Sequence, residues 1–298
     1  MKTISELQSI LTSCPWSHVD AHIHTHLCDG QSNMTVENIG TQAEKTGIDV
    51  VVLTPHFHKQ VSDETETLYE DSSVDMLLRL RDEIDAYHGQ TRFLLSVEAD
   101  ILSIRGDLPH FLTKDATEAL DLVTPTMNYN PVLPLCMVHL TYGRDIDALH
   151  ESGLYARMAE AAGGVERVLE SIYETEANAL LSLPFPAMLG HFFAAHSIAN
   201  ERFSWFGAQE KHLPLMQAGA EKVITACKTT GAMIDLTGLH PKNETPMQKK
   251  RKDGFLYEFQ SWFLKRCMQE GIPAWPGSDA HCLSDIGSSL CYGEIFKY

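Results

Sequence analysis

The sequence predicts an α/β fold in which a parallel sheet closes, or nearly closes, into a barrel. Three observations carry that expectation. Strand-like and helix-like segments alternate about seven times along 298 residues. No internal repeat or linker interrupts them. The run Asp49 to Thr54 (DVVVLT) is continuously apolar, the pattern of a strand buried on both faces.

The elements follow in order. Ile4, Leu7, Ile10 and Leu11 share one face of a short N-terminal helix, which Pro15 ends. Ser17 to His24 reads as a buried strand, and Cys28 to Ser32 as a turn. A helix from Thr35 to Thr46 carries Val36, Ile39 and Ala43 inward and stops at Gly47. After the strand at Asp49 comes a polar, acidic loop from His56 to Asp71, then a helix from Val74 to Tyr87. Arg92 to Ile101 gives the third strand and Leu120 to Met127 the fourth. Asn128 to Tyr142 is broken by prolines and reads ambiguously. A long helical stretch from Ser152 to Leu181 is interrupted near Gly163-Gly164 and stopped by Pro184 and Pro186. Ala187 to His191 is a short strand, Leu213 to Thr229 a helix, and the segment from Ala232 (AMIDLTG) a strand. Beyond a polar loop, His240 to Asp253, the helix Phe255 to Gln269 turns Phe255, Phe259, Trp262, Phe263 and Cys267 to the core. Ile272 to Asp279 is the final strand. The expected organisation is one barrel domain over residues 1–298, with an N-terminal helix, 1–15, appended.

Composition narrows the function. The chain is 44% hydrophobic and 21% charged, as in ordinary globular proteins. Its 23 Lys and Arg against 40 Asp and Glu leave a net charge of −17, which argues against nucleic acid as a partner, since that binding neutralises phosphates with cations. Seven Cys without paired spacing fit free thiols in a reducing compartment better than a disulfide framework. No stretch approaches the ~18 apolar residues of a membrane span, and the N-terminus lacks a signal-like apolar core, so a cytoplasmic location is expected. The sequence does not give the oligomeric state.

The chemistry lies at strand ends. Asp20-Ala21-His22-Ile23-His24 places two imidazoles at i and i+2, on one face if the segment is extended. Asp20 could orient an imidazole from outside the ligand set. His24, His56, Glu98, Asn128, His191 and Asp279 each fall at or near the carboxyl end of an expected strand, and in a barrel these ends share one rim. Any one histidine reads equally well as a hydrogen-bonded core residue; their shared position argues for a multi-metal hydrolytic site. Asp279-Ala280-His281 adds a second ligand-like pair, and Glu98 has two oxygens with which to bridge ions ~3.5–4 Å apart. Zinc, manganese and iron all accept this imidazole and carboxylate set.

These motifs resemble those of the PHP (polymerase and histidinol phosphatase) family. The matching stretches are DAHIHTHLCDG (20–30), TPHFH (54–58), SVEAD (96–100), LGH (189–191), IDLTGLH (234–240) and GSDAH (277–281). The resemblance implies a distorted (β/α)7 barrel, TIM-like, holding two or three divalent metal ions and hydrolysing phosphate esters. The last two motifs are most similar to the histidinol-phosphatase branch, whereas TPHFH is nearer to bacterial capsule-type tyrosine phosphatases. Carried over by position, His22, His24, Glu98 and Asp279 hold one ion, and Glu98 bridges to a second ion held by His191 or a neighbour. His56 and His281, with Asp29, hold a third. Asn128 stands where the family has a histidine, so it supplies a weaker ligand or His139 replaces it. His26 and His58 are expected at the rim.

The reaction expected is hydrolysis of a small phosphate monoester, with His281 or Asp279 handling the proton. Arg105 and Arg144 could clamp its phosphate bidentately, although surface ion pairing is as good a reading of each. The basic run Lys249 to Lys252 reads as a solvated loop before a helix, and Cys28 and Cys282 as packing neighbours of the site. Two other readings compete. One is an amidohydrolase-type deaminase or amidase, disfavoured because no Lys lies between Lys114 and Lys211 to form a modified bridge. The other is a catalytically silent metal-binding barrel, supported only by Asn128.

Overall fold

A computed structural model describes residues 1–28, 30–57, 73–108, 114–127, 154–190, 192, 208–237 and 255–288. The expectations for Asp29, His58, Asn128, His139, Arg144, His191 and the basic run 249–252 lie outside the described residues.

Helix α1 (Ile4–Leu11) starts at a capping box. The Glu6 amide donates to Thr3 Oγ1 at 3.2 Å, and Glu6 Oε2 accepts the Thr3 amide at 2.7 Å. Then come β1 (Val19–Ile23), α2 (Val36–Thr46), β2 (Val50–Leu53), β3 (His56–Phe57), α3 (Val74–Ala86), β4 (Arg92–Leu95) and β5 (Glu98–Asp100). The second half runs α4 (Lys114–Ala119), β6 (Thr124–Thr126), α5 (Leu154–Ala161), α6 (Val165–Ser182), β7 (Met188–Leu189), α7 (Leu213–Thr230), β8 (Met233–Asp235), α8 (Phe255–Glu270) and β9 (Ala274–Trp275). Gly47 closes α2 at φ 79°, a left-handed conformation that glycine adopts without a Cβ clash.

All strand pairs are parallel. Among the described residues they form three sheets, ordered β1-β2-β4, β3-β5-β6 and β7-β8-β9, where one closed or nearly closed sheet was expected. The breaks have local causes. Thr54-Pro55 separates β2 from β3, and proline brings no N–H to a ladder. Ser96-Val97 separates β4 from β5, where the Ser96 hydroxyl lies 2.7 Å from that of Thr124. Backbone contacts continue between the sheets. Val123 bridges Ala187, Thr126 bridges Gly190, and Ile23 bridges Ala280. The Ala21 amide donates to the Pro276 carbonyl at 2.7 Å, so the first strand lies beside the chain that leaves the last.

The core shows why short strands suffice. One buried cluster takes Val19, Ala21, Val50, Val52, Leu94, Leu122, Met188, Met233 and Trp275, drawn from the strands or their edges, and adds Leu7 and Leu11 of α1. Helix α1 therefore plugs one end of the strand assembly. Leu7 and Leu11 are fully buried, each contributing about 1.5–3 kcal/mol. The other face of the strands is covered by α2, α3 and α4 on one side and by α5 to α8 on the other. Polar side chains collect at the opposite end of the strands from α1.

Candidate metal centre

Each side chain of the cluster is delivered where a strand ends or restarts. His22 and His24 come from β1 and the residue after it, where the pairing register shifts between Asp20 and Ile23. His56 opens β3 and is paired directly with Glu98, which opens β5. Asp279 and His281 follow β9. Asp279 has φ 54°, a left-handed conformation tolerated by Asp more readily than by most residues. Its amide donates to the His22 carbonyl at 2.9 Å, and the His24 amide to the Ala280 carbonyl at 3.0 Å.

The polar atoms converge on two carboxylate oxygens. Glu98 Oε2 lies 3.2 Å from His22 Nε2, 3.5 Å from His24 Nε2 and 3.2 Å from His56 Nδ1. Asp279 Oδ1 lies 2.8 Å from His24 Nε2 and 3.7 Å from His22 Nε2. The rings of His24 and His281 stack at 4.0 Å, and those of His24 and His56 lie 4.5 Å apart. His22, His24 and Glu98 are wholly buried, whereas the side chains of Asp279 and His281 are 30% and 28% exposed. The cluster thus has a buried floor and an open mouth.

The floor holds a residue that the sequence reading did not single out. Asp235, at the end of β8, places Oδ2 2.7 Å from His22 Nδ1. Its Oδ1 accepts the Thr237 amide at 2.8 Å and the Thr237 hydroxyl at 2.6 Å. The available signal was a single carboxylate at the end of an apolar strand, the same one that picked out Glu98. Asp20 acts differently from the expected imidazole orienter. It accepts the amides of Ser278 and Gly287, both at 2.8 Å, and so pins the backbone around Asp279. Burial is the main reason its pKa rises, to about 6, and these amide donors partly offset it.

Gly277 makes the floor possible. A Cβ there would lie 2.2 Å from Thr237 Oγ1, 2.4 Å from Asp235 Oδ1 and 2.8 Å from His22 Cβ. Only glycine lets the chain after β9 cross this close to the three side chains.

The donor set fits a cation. Carboxylates accept hydrogen bonds and do not donate them, so each imidazole nitrogen facing one needs a proton or a metal ion between them. His24, His56 and His281 can bring ligand atoms within 4.8 Å of one another, as can His22, His24 and Asp279. His24 belongs to both groups, so as placed they form one compact cluster. With no ion present, burial opposes a charged His22, but the charge and hydrogen bonds of Asp235 and Glu98 outweigh it and push its pKa up to about 10. A metal ion would replace the proton on Nε2.

The remaining candidates lie nearby or make local contacts. Cys28 Sγ accepts the His56 amide at 3.2 Å. His26 donates through Nδ1 to the Met34 carbonyl at 3.3 Å, and its Nε2 lies 3.4 Å from Glu83. Cys282 contacts the Ser284 hydroxyl. Arg105 is exposed, and its guanidinium pairs with Asp107 at 3.3 Å within its own turn. Among the described residues, no helix is long and apolar enough to cross a membrane.

No family model matches the chain. A histidinol-phosphatase of Bacillus subtilis (strain 168) is 24% identical over 281 residues, 90% of this chain and 95% of that protein. A Listeria monocytogenes structure provisionally named a histidinol phosphatase superposes with a TM-score of 0.63 at 17% identity, over 93% of this chain and 99% of that one. The histidinol phosphate phosphatase of Lactococcus lactis, complexed with zinc, L-histidinol and phosphate, gives 0.53 at 10% identity over 95% of each chain. In sequence over nine-tenths of its length, and in fold, the chain is similar to histidinol phosphatases, as its motifs imply.

Proposed function

We propose that the chain is a metal-dependent phosphatase acting on a small phosphate monoester, histidinol phosphate being the first candidate. The observation that carries this reading is the convergence of four imidazoles and two carboxylates at the ends of parallel strands. Similarity to histidinol phosphatases supports it along the same length of chain. The strands make up a distorted (β/α)7 barrel, one domain over 1–298 with the 1–15 helix appended. The backbone contacts between sheets and the α1-plugged interior support that architecture.

In this reading His22, His24, His56, Glu98, Asp279 and His281 hold two or three divalent ions, with Asp29, Asn128 and His191 completing the set. When bound, the ions lower the pKa of water and neutralise charge growing on the phosphoryl oxygens. The protein's own groups do the rest. The wholly buried floor excludes bulk water from Glu98 and His22. The partly exposed mouth places Asp279 and His281 where a substrate arrives. The neutral His281 ring carries its hydrogen on Nδ1, which donates to the Asp279 carbonyl at 2.9 Å, and so presents Nε2. Where His281 is not engaged by a metal, Nε2 is the atom that would take a proton from the attacking water and pass it to the leaving oxygen. Arg144 remains the proposed phosphate clamp; Arg105, paired to Asp107, would have to leave that partner to join it.

The test is turnover of histidinol phosphate before and after chelation, with zinc or manganese added back. Loss followed by recovery is expected. Activity indifferent to stripping would remove the mechanism.

A further inference from the structure

We infer that Asp235 is a positioning residue for the metal centre, acting through His22, with Thr237 and Gly277 holding it in place. The inference rests on the metal-dependent reading above and deepens it. A carboxylate can only accept, so the 2.7 Å contact between Asp235 Oδ2 and His22 Nδ1 places the hydrogen on Nδ1. The other nitrogen, Nε2, is then the one that offers a lone pair, and it is the nitrogen that faces Glu98 and Asp279. Both His22 and Asp235 are wholly buried, so water does not compete for that contact. Asp235 is itself held. Its second oxygen takes two hydrogen bonds from Thr237, and the bare Cα of Gly277 lets the chain press against all three side chains. Ring orientation, tautomer and basicity of the ligating nitrogen are therefore set by a residue that need not touch the ion.

The arrangement has a direction. Asp235 lies at the end of β8 and His22 on β1, and the chain following β9 passes between those strands in the assembly order. The contact ties the late part of the chain to the first ligand in it.

The experiment measures zinc affinity of the full chain by competition with a chelating indicator, alongside histidinol phosphate turnover. Asp235→Asn keeps the shape and one acceptor but loses the charge, and should weaken zinc binding about 10–100-fold. Excess zinc should refill the site, so the weakened binding is read from the zinc titration, separately from any fall in the zinc-saturated rate. Thr237→Val removes only the hydroxyl donor and should weaken zinc binding in the same direction, by less than about 10-fold. It decides the matter if Asp235→Asn does not fold. Nitrogen-15 chemical shifts of the His22 ring supply a separate readout: Nδ1–H in the wild type, and a mixture of tautomers in Asp235→Asn. Zinc affinity and His22 tautomer both unchanged in the variants would overturn the inference. Zinc binding that weakens as expected in a protein without wild-type turnover would uphold it while removing the phosphatase reading. A wild type that takes up no zinc would remove both.

Discussion

Replacing Gly277 by alanine tests whether the floor of the centre is as tightly built as its distances indicate. The added Cβ would meet Thr237 Oγ1 at 2.2 Å and Asp235 Oδ1 at 2.4 Å, against an ordinary contact of at least 3.4 Å. Relief requires about 1 Å of movement by side chains that are already hydrogen-bonded to each other. A shift of that size along the His22–Asp235 line would carry their 2.7 Å contact beyond hydrogen-bonding range. Overpacking alone costs about 1–3 kcal/mol. For a chain of this length that lowers the melting temperature by about 2–8 °C. The larger effect falls on activity, because ~1 Å of misplacement in a reacting constellation costs about 100-fold in rate. Thermal unfolding and kcat/KM for histidinol phosphate, both with saturating metal, read the two effects separately. A Gly277→Ala protein with wild-type melting temperature and turnover would falsify the steric argument.

Other outcomes follow from the same geometry. Glu98→Gln keeps the volume but removes the charge that faces three imidazoles, and should lower metal affinity by at least about 10-fold, read by elemental analysis of the purified protein; a full metal complement would contradict it. Asp20→Ala leaves the buried amides of Ser278 and Gly287 without their acceptor and should cost about 2–5 kcal/mol in urea unfolding, a loss that an unaltered midpoint would exclude. Leu11→Ala, at the plugged end, should cost about 2–5 kcal/mol while leaving kcat of the folded protein intact; a fall in kcat would show that the plug reaches the centre. In the metal-free protein, the pKa of His22 is raised to about 10, so its contribution to stability is complete below its unfolded value and is lost as pH rises through 10. Unfolding free energy in chelator should therefore fall between pH 7 and pH 10, by at most about 5 kcal/mol, and His22→Asn should flatten that slope. An equal slope in both proteins would assign the effect elsewhere.

Much of this was written locally in the chain. Gly47 and the pair Gly163-Gly164 mark where α2 stops and where the long helical stretch divides into α5 and α6. The apolar run before His56 and the carboxylate in SVEAD were enough to bring His56 and Glu98 to within three residues of the ends of β2 and β4, because burial on both faces has a composition of its own. What was not legible depends on partners distant in sequence. The run Arg92 to Ile101 looks continuous, yet it divides at Ser96-Val97, where Thr124 supplies a hydroxyl from a strand 28 residues on. The role of Asp235 is defined by His22, 213 residues earlier, and no local pattern encodes that pairing. Helix α4 is six residues long, too short for periodicity to declare itself. Asp20 was read as serving an imidazole because it neighbours two of them, but its carboxylate is taken up by backbone amides from the far end of the described chain.

The seam between the first and last strands has a kinetic consequence. Ala21 meets Pro276, His22 meets Asp279 and His24 meets Ala280 through backbone hydrogen bonds that close a loop of more than 250 residues. Contacts of such high sequence separation form late, since the entropy of closing the loop precedes any gain. The donor set is split across that seam, so a cation meets its full complement of ligands only after closure. Added metal should then leave the folding rate nearly unchanged and slow unfolding instead, acting as a clasp on segments already joined. At a free metal concentration 100 times its dissociation constant, that clasp is worth about 2.7 kcal/mol.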